Sequence, residues 1–482
     1  MKNLWSFGFV LLVPVLGLFS QEFGFGEAEN PGPPGFQMAL SIGGEVSAQL
    51  KAFTGDLGSS RIGEIQPGDI FSGKLNFFAS GSSAEGVINL KLTPETGGAS
   101  PVAMDEAYGR FYAGSVTIEG GLRKLTWGRA DSFGPLDVIN PLDYSDLSAM
   151  GEPRNIKIPR PMLHVSWNMG SFARVEGVFV PWFRGHGYAH GGPWAPREIT
   201  ELPVTVQSHI AGYVANLAGL GLFPPSGIPI LQTELEKWKG RYNPADLFPR
   251  TDTLRYAQGG LRFTTSVGSS DLGIQYYFGR LPRPAVTVDL DDFLASLPGG
   301  GTSNPQTIGV NIDYNCFHQI GVDYAQVLGG FNVRAEAGAN ITGDLQGDDG
   351  RVYNPALVWS LGFDRDLFRG INLNLQGNGS VRLMQNKTGD NALADTEAGK
   401  DPSSTRITAV LSRKFFRDEL ELKTTALWGI EDRDFYIIPA LVWSKNDVTL
   451  ELSAGFFGGD REGELGQYRD NHYVKTVLSY RF

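Results

Sequence analysis

Along most of this chain apolar and polar side chains alternate residue by residue. In NHYVKTVLSYRF, at 471–482, Val474, Thr476, Leu478, Tyr480 and Phe482 fall on one face and Tyr473, Lys475, Ser479 and Arg481 on the other. FNVRAEAGANI and INLNLQGNGSVR repeat the pattern, with Phe331, Val333, Ile371 and Leu373 opposite Asn332, Arg334, Asn372 and Asn374. A period of two is that of a strand whose faces meet different surroundings. A stripe of amides and guanidinium groups is too costly to bury dry, so the polar face needs water while the other face needs an apolar neighbour. The alternation predicts eighteen strands: 39–53, 69–80, 84–93, 104–113, 115–128, 161–169, 172–182, 253–267, 271–281, 308–327, 330–342, 355–364, 370–384, 404–415, 418–431, 434–444, 447–458 and 471–482, with sixteen as the alternative count.

The connections sort into two kinds. Joining the second strand to the third, the fourth to the fifth and so on, the links at 80–83, 113–114, 169–171, 268–270, 328–330, 417–418 and 444–447 are tight. The other set is longer, above all at 129–160 and 183–252. Short turns at one end and long loops at the other are the periplasmic and extracellular ends of an outer-membrane barrel. Inside a bilayer no water satisfies a free strand edge, so such strands must close into a ring. The fold expected over 39–482 is all-β, a transmembrane antiparallel β-barrel, and the location expected is the cell outer membrane.

The start of the chain agrees with export. Lys2, the apolar run over 4–19 and small Ser20 predict a signal peptide at 1–20, followed by a flexible periplasmic leader at 21–38 that is rich in Gly, Pro and Glu. No later run has the length of an apolar membrane helix. The 63 glycines and 11% aromatics fit strands with one wetted face rather than a dry core. A net charge of -11 without clustered Lys and Arg argues against nucleic acid as a partner. Cys316 is the single cysteine, so no disulfide framework exists, and its simplest role is packing.

The most distinctive stretch is LTWGRADSFGPLDVINPLDY at 125–144. Gly128, Gly134, Pro135 and Pro141 break the ladder after Trp127, and Asp131, Asp137, Asn140 and Asp143 are residues that bond turns to themselves. Two readings stand: a self-bonded surface loop, or a constriction turned into the barrel mouth with its carboxylates near lumen arginines. The inward face also carries Arg110, Glu119, Arg123, Arg174, Glu176, Arg262, Arg334, Glu336, Arg382, Glu421, Lys423 and Glu451. Mixed charges there either set a field across a pore or knit a closed lumen through ion pairs. The insertion at 183–252 holds two stretches of partly helical spacing, 210–221 and 231–239, suited to a lid, a plug or a binding platform. His186 and His190 have an i, i+4 spacing, but the glycines around them disfavour the helix a metal pair would need. Asp344, Asp348 and Asp349 lack the spacing of a calcium loop. No nucleophile motif appears, and no enzyme activity, metal or cofactor is expected.

The pattern W-G-x-x-D-x-F-x-x-x-D-x-x-N-P-x-D-Y at 127–144, with EGVFVPWF at 176–183 and HQIGVDYAQVLGGFNVRAEAG at 318–338, resembles an uncharacterised porin-like family of bacterial outer-membrane proteins. The resemblance runs through most of the chain after the leader and implies a barrel fold rather than a chemistry. It also admits a hydrophobic cargo. The expected function is a channel for small polar or amphipathic solutes; the alternatives are a carrier of hydrophobic or lipid molecules and a surface adhesin using the long loops. Expected partners are outer-membrane lipids, small solutes and the barrel-assembly machinery, which would read Leu478, Tyr480 and Phe482. Association of barrels with one another is left open.

Overall fold

The computed structural model describes residues 39–55, 70–93, 101–221, 228–243, 248–289, 309–390 and 393–482. The expected signal peptide and leader lie outside them. The strands are β1 (Ala39–Phe53), β2 (Phe71–Ser80), β3 (Ala84–Leu92), β4 (Val102–Ala113), β5 (Val116–Arg123), β6 (Arg160–Met169), β7 (Ala173–Val180), β8 (Gln258–Val267), β9 (Ser270–Arg280), β10 (Ala285–Asp289), β11 (Gly309–Asp313), β12 (Cys316–Leu328), β13 (Phe331–Thr342), β14 (Ala356–Asp366), β15 (Ile371–Arg382), β16 (Ser403–Phe415), β17 (Leu420–Gly429), β18 (Asp434–Lys445), β19 (Val448–Gly459) and β20 (Tyr473–Arg481). Eighteen of them form one sheet, and β10 and β11 form a separate hairpin.

The sheet closes on itself. β1 pairs with β2 through residues 39–48 and, further along, with β20 through residues 45–53, in antiparallel register from Glu45↔Arg481 to Phe53↔Tyr473. Gly44 and Phe482 extend that seam by exchanging hydrogen bonds of 2.8 and 3.0 Å. A ring of antiparallel strands leaves no unpaired edge, which is the condition for spanning hydrocarbon. Two-residue turns such as Gly114–Ser115 and Gly268–Ser269 join the strands at one end. The left-handed φ of 61° and 62° at those glycines matches the twist of the strands they connect.

Burial is inverted relative to a water-soluble protein. Leu163, Phe179, Leu261, Ile274, Ile320, Leu361, Leu422 and Leu450 are exposed on the outside, whereas Ser166, Arg262, Gln275, Gln319, Ser360, Gln376 and Thr408 are buried on the inside. Apolar groups outside and hydrogen-bonding groups inside suit a lipid surround and a polar interior. The chain is an outer-membrane β-barrel.

Three strand boundaries depart from the sequence reading. β5 stops at Arg123 rather than running to 128, because Asn140 takes over the ladder: its Oδ1 accepts from Leu125 N at 2.8 Å and its Nδ2 donates to the carbonyls of Arg123 and Ile158. β8 starts at Gln258 after a short turn at Leu254–Tyr256, not at 253. The strand expected over 308–327 is two, since β11 pairs back on β10 before Tyr314 and Asn315 lead into β12. Of the stretches with helical spacing, the helices run Leu202–Gly219 and Ile228–Arg241.

Candidate functional site

The inner wall carries a connected set of ion pairs. Arg110 on β4 bonds Glu85 at 2.8 Å and Glu119 at 2.7 Å, Arg123 adds a second contact to Glu119, and His164 on β6 bridges Glu119 at 2.6 Å to Glu176 at 3.3 Å. Arg174 lies 3.1 Å from Glu176. Further round the ring, Arg262 on β8 meets Asp323 on β12 at 2.7 Å, and Arg382 on β15 meets Glu397 at 3.1 Å. Lys423 meets Glu152, and Lys475 lies 3.9 Å from Glu451. Strand register puts Glu421 opposite Lys414 on the same face. The strand residues among them that stand opposite one another, such as Arg110 and Glu119, take the same face because cross-strand neighbours do.

The segment 124–159 joins β5 to β6 and passes through the lumen between them. Trp127 is buried against Tyr277, Met162 and Val178 of the inner wall. Gly128 follows with φ 89°, and a Cβ there would stand 2.3 Å from Glu336 Oε1. That side chain, on β13, accepts the backbone N–H groups of Arg129, Ala130 (2.8 Å) and Leu136 (3.3 Å). Gln376, on β15, accepts from Asp131 N at 3.0 Å and Ser132 N at 3.1 Å and donates to the Ser132 carbonyl. Gln275 and Gln319 donate to the carbonyls of Leu136 and Pro135 at 2.8 and 2.9 Å. Leu136, with no exposure, fills a notch left by Gly321 and Gly338. The inward side chains thus supply the partners a loop needs when it leaves water.

The same segment then reaches a different arc of wall. Lys51 on β1, 1% exposed, donates to Asp146 at 2.6 Å and to Ser148 at 3.3 Å, and Tyr436 on β18 donates to the Leu147 carbonyl at 3.0 Å. Leu147, Met150 and Ile156 join Phe53, Leu427, Tyr436 and Phe457 in an apolar cluster. Its carboxylates have separate fates. Asp131 meets Arg334 at 2.5 Å, Asp137 pairs with Lys157 of the same segment, and Asp143 caps Ser145 N at 3.0 Å. So one of the three, Asp131, contacts an arginine of the lumen face.

The described residues of the connection between β7 and β8, 181–221, 228–243 and 248–257, pack against this crossing. His186 Nδ1 accepts from Leu142 N at 2.9 Å, and the Tyr144 and Gly187 amides bond to Gly187 and Leu142 carbonyls. Burial pushes the His186 imidazole down to about 4. Its Nδ1 is engaged, and His190 stacks on Phe248 rather than on His186. Asp344 spends its carboxylate on the amides of Gln346, Gly347 and Asp349, a turn cap rather than a calcium loop. Under the helices lies a cavity of about 450 Å³ whose walls include Leu147, Ile199, Leu202, Val286, Arg283 and Lys400.

Selection by charge passed over the amides. Gln275, Gln319 and Gln376 hold the crossing, and alternation alone put them on the inner face; nothing in their spacing announced a loop as their partner. Asp323 and His164 were legible in the same way. Leu478, Tyr480 and Phe482 share the outer face of the β20 seam, with the rings of Tyr480 and Phe482 6.5 Å apart.

Comparison with protein-family models finds no match, and neither does comparison with curated proteins. Among solved structures, the chain is similar to OccK2 of Pseudomonas aeruginosa (8% identity, 93% of this chain and 99% of that one, TM-score 0.46). It is also similar to OccK9 of Pseudomonas aeruginosa (8%, 92% and 98%, TM-score 0.45). A third is Wzi, described as an outer-membrane carbohydrate-binding β-barrel of group 1 capsule assembly in Escherichia coli (12%, 92% and 84%, TM-score 0.44). At these values the fold rests on the strand pairing itself.

Proposed function

We propose that this barrel is a porin-like channel for small polar or amphipathic solutes, narrowed from within by the β5–β6 segment. The observation that carries the reading is the grip of Glu336 and Gln376 on residues 129–136, which keeps a loop inside the ring instead of above it. A lumen lined by paired charges and partly filled by a fixed loop passes small solutes in preference to large ones. Leu478, Tyr480 and Phe482 are proposed as the contact for assembly machinery.

The test is single-channel recording of the refolded protein in planar bilayers. Small steady conductance steps are expected, and deletion of residues 132–148 should enlarge them severalfold. A folded barrel that conducts nothing, with or without the deletion, overturns the channel.

A further inference from the structure

The cavity has two cations beside one aromatic ring. Arg283 lies 4.7 Å from the centroid of the Tyr353 ring and Lys400 lies 5.0 Å from it. Lys400 donates to the Thr396 carbonyl at 2.5 Å, whereas Arg283 lies over the ring, with Tyr353, Glu397, Tyr188 and Glu464 favouring its charge. Burial and the neighbouring Arg283 both push the Lys400 ammonium down, as expected of like charges held together.

The nearby carboxylates act on these cations from a distance and have closer partners of their own. Glu464 pairs with Arg406 at 2.8 Å, and Glu397 pairs with Arg382 at 3.1 Å. Asp395 accepts the amides of Gly389 and Glu397 at 2.7 and 2.8 Å. Glu198 also lines the cavity, near Tyr468. Beside the cationic patch the wall is apolar: Val286, Val288 and Ile312 from the β10–β11 hairpin, Leu393, and Leu202 from the first helix. A volume of about 450 Å³ is within the range of small-molecule sites.

We propose that this cavity binds an amphipathic organic anion, its carboxylate between Arg283 and Lys400 and its apolar body along the hairpin and the Leu202 helix. An anion there would make a direct charge-assisted contact with Arg283 and relieve the repulsion between the two cations. The site deepens the channel reading and rests on it: it would concentrate such solutes above the constriction.

Octanoate is the probe, with octanol as its neutral counterpart. Titration calorimetry of the full barrel in nanodiscs, against empty nanodiscs, should show octanoate preferred over octanol by about tenfold or more, the scale of a charge-assisted contact. The double variant Arg283→Gln with Lys400→Gln should reduce that preference to near unity, and Arg283→Lys, which keeps the charge, should retain most of it. Equal affinity for both probes, or a preference untouched by the double variant, overturns the site. Bilayer recording beside the calorimetry separates the two readings: conductance with equal affinity for the two probes removes the site and leaves the channel, whereas a calorimetric preference for octanoate in a barrel that never conducts keeps the site and removes the channel.

Discussion

At 129–136 the β5–β6 segment is held by hydrogen-bonding side chains of the wall it crosses, whereas the helical part of the β7–β8 segment is held by apolar packing. In the first, Glu336, Gln376, Gln275 and Gln319 donate to or accept from backbone groups at 129–136. In the second, Val206, Ile210 and Val214 form one face of a helix and pack on Leu235 and Trp238 of the next, with Val288 and Leu393 beneath. The two segments touch through Leu142, Tyr144, His186 and Gly187. A loop that enters a polar lumen must satisfy its backbone there, so its position is set by hydrogen-bonding side chains. A segment at the mouth can keep a small core, and its position is set by apolar shape.

The largest break in this comparison comes from Glu336→Ala. Losing the carboxylate orphans the amides of Arg129, Ala130 and Leu136, at about 1–3 kcal/mol for each that stays buried. The loop should leave the wall: hydrogen exchange at 129–136 should lose protection and single-channel conductance should rise severalfold, with strand pairing unchanged. Retained protection would mean that Leu136 and the glutamines hold the loop without Glu336.

Ile210→Ala tests the other region. Ile210 has no exposure, and the cavity left should cost the helical pair about 2–5 kcal/mol. Limited proteolysis should cut within 202–241 faster while the β5–β6 segment stays protected. Faster cutting in both would show one cooperative unit where two are expected.

A third test is pH, applied where the segments meet. His186 has its folded pKa lowered to about 4 from an ordinary 6.5, and its neutral Nδ1 accepts the Leu142 amide. The undocked state therefore binds more protons between those values. The docking contribution is complete above about 6.5 and is lost as pH falls through about 4. Protection of the Leu142 amide, corrected for intrinsic exchange, should drop across that interval, and His186→Gln should flatten the drop.

How much of this was legible follows from the same physics. Alternation fixes which face a strand residue takes, so Arg110, Glu119, Arg262 and Glu336 could be placed inward from sequence, and the tight turns ordered the ring. The turn residues at 125–144 marked an interruption, but its path depended on Gln376, far along the chain, whose partner is a backbone amide and leaves no trace in composition. β5 ended early because Asn140 reaches back to Arg123, a contact across a loop that periodicity cannot see. β11 was read as the start of β12 because a period of two continues through both, and β10, five residues long, was not read as a strand at all.

The smallest expected effect belongs to Asp131→Asn. Asp131 sits where the crossing meets the lumen face, 2.5 Å from Arg334 and accepting from Asn374 at 2.8 Å, and it is partly exposed. Arg334 keeps Asp364 at 2.6 Å, so it is not left alone. Stability should change by no more than about 1 kcal/mol, as for other accessible ion pairs. The charge on the path does change: one negative group is gone and Arg334 is less neutralised, so the ratio of cation to anion permeability should fall while the conductance step keeps its size. The shift should be clearest at low salt, where screening extends over about 30 Å at 0.01 M, and should fade as salt rises. Reversal potentials in a salt gradient measure it. A ratio that stays the same at low salt would show that ions pass the crossing on a side Asp131 does not face, and would confine the constriction to the arc between residues 146–152 and β1.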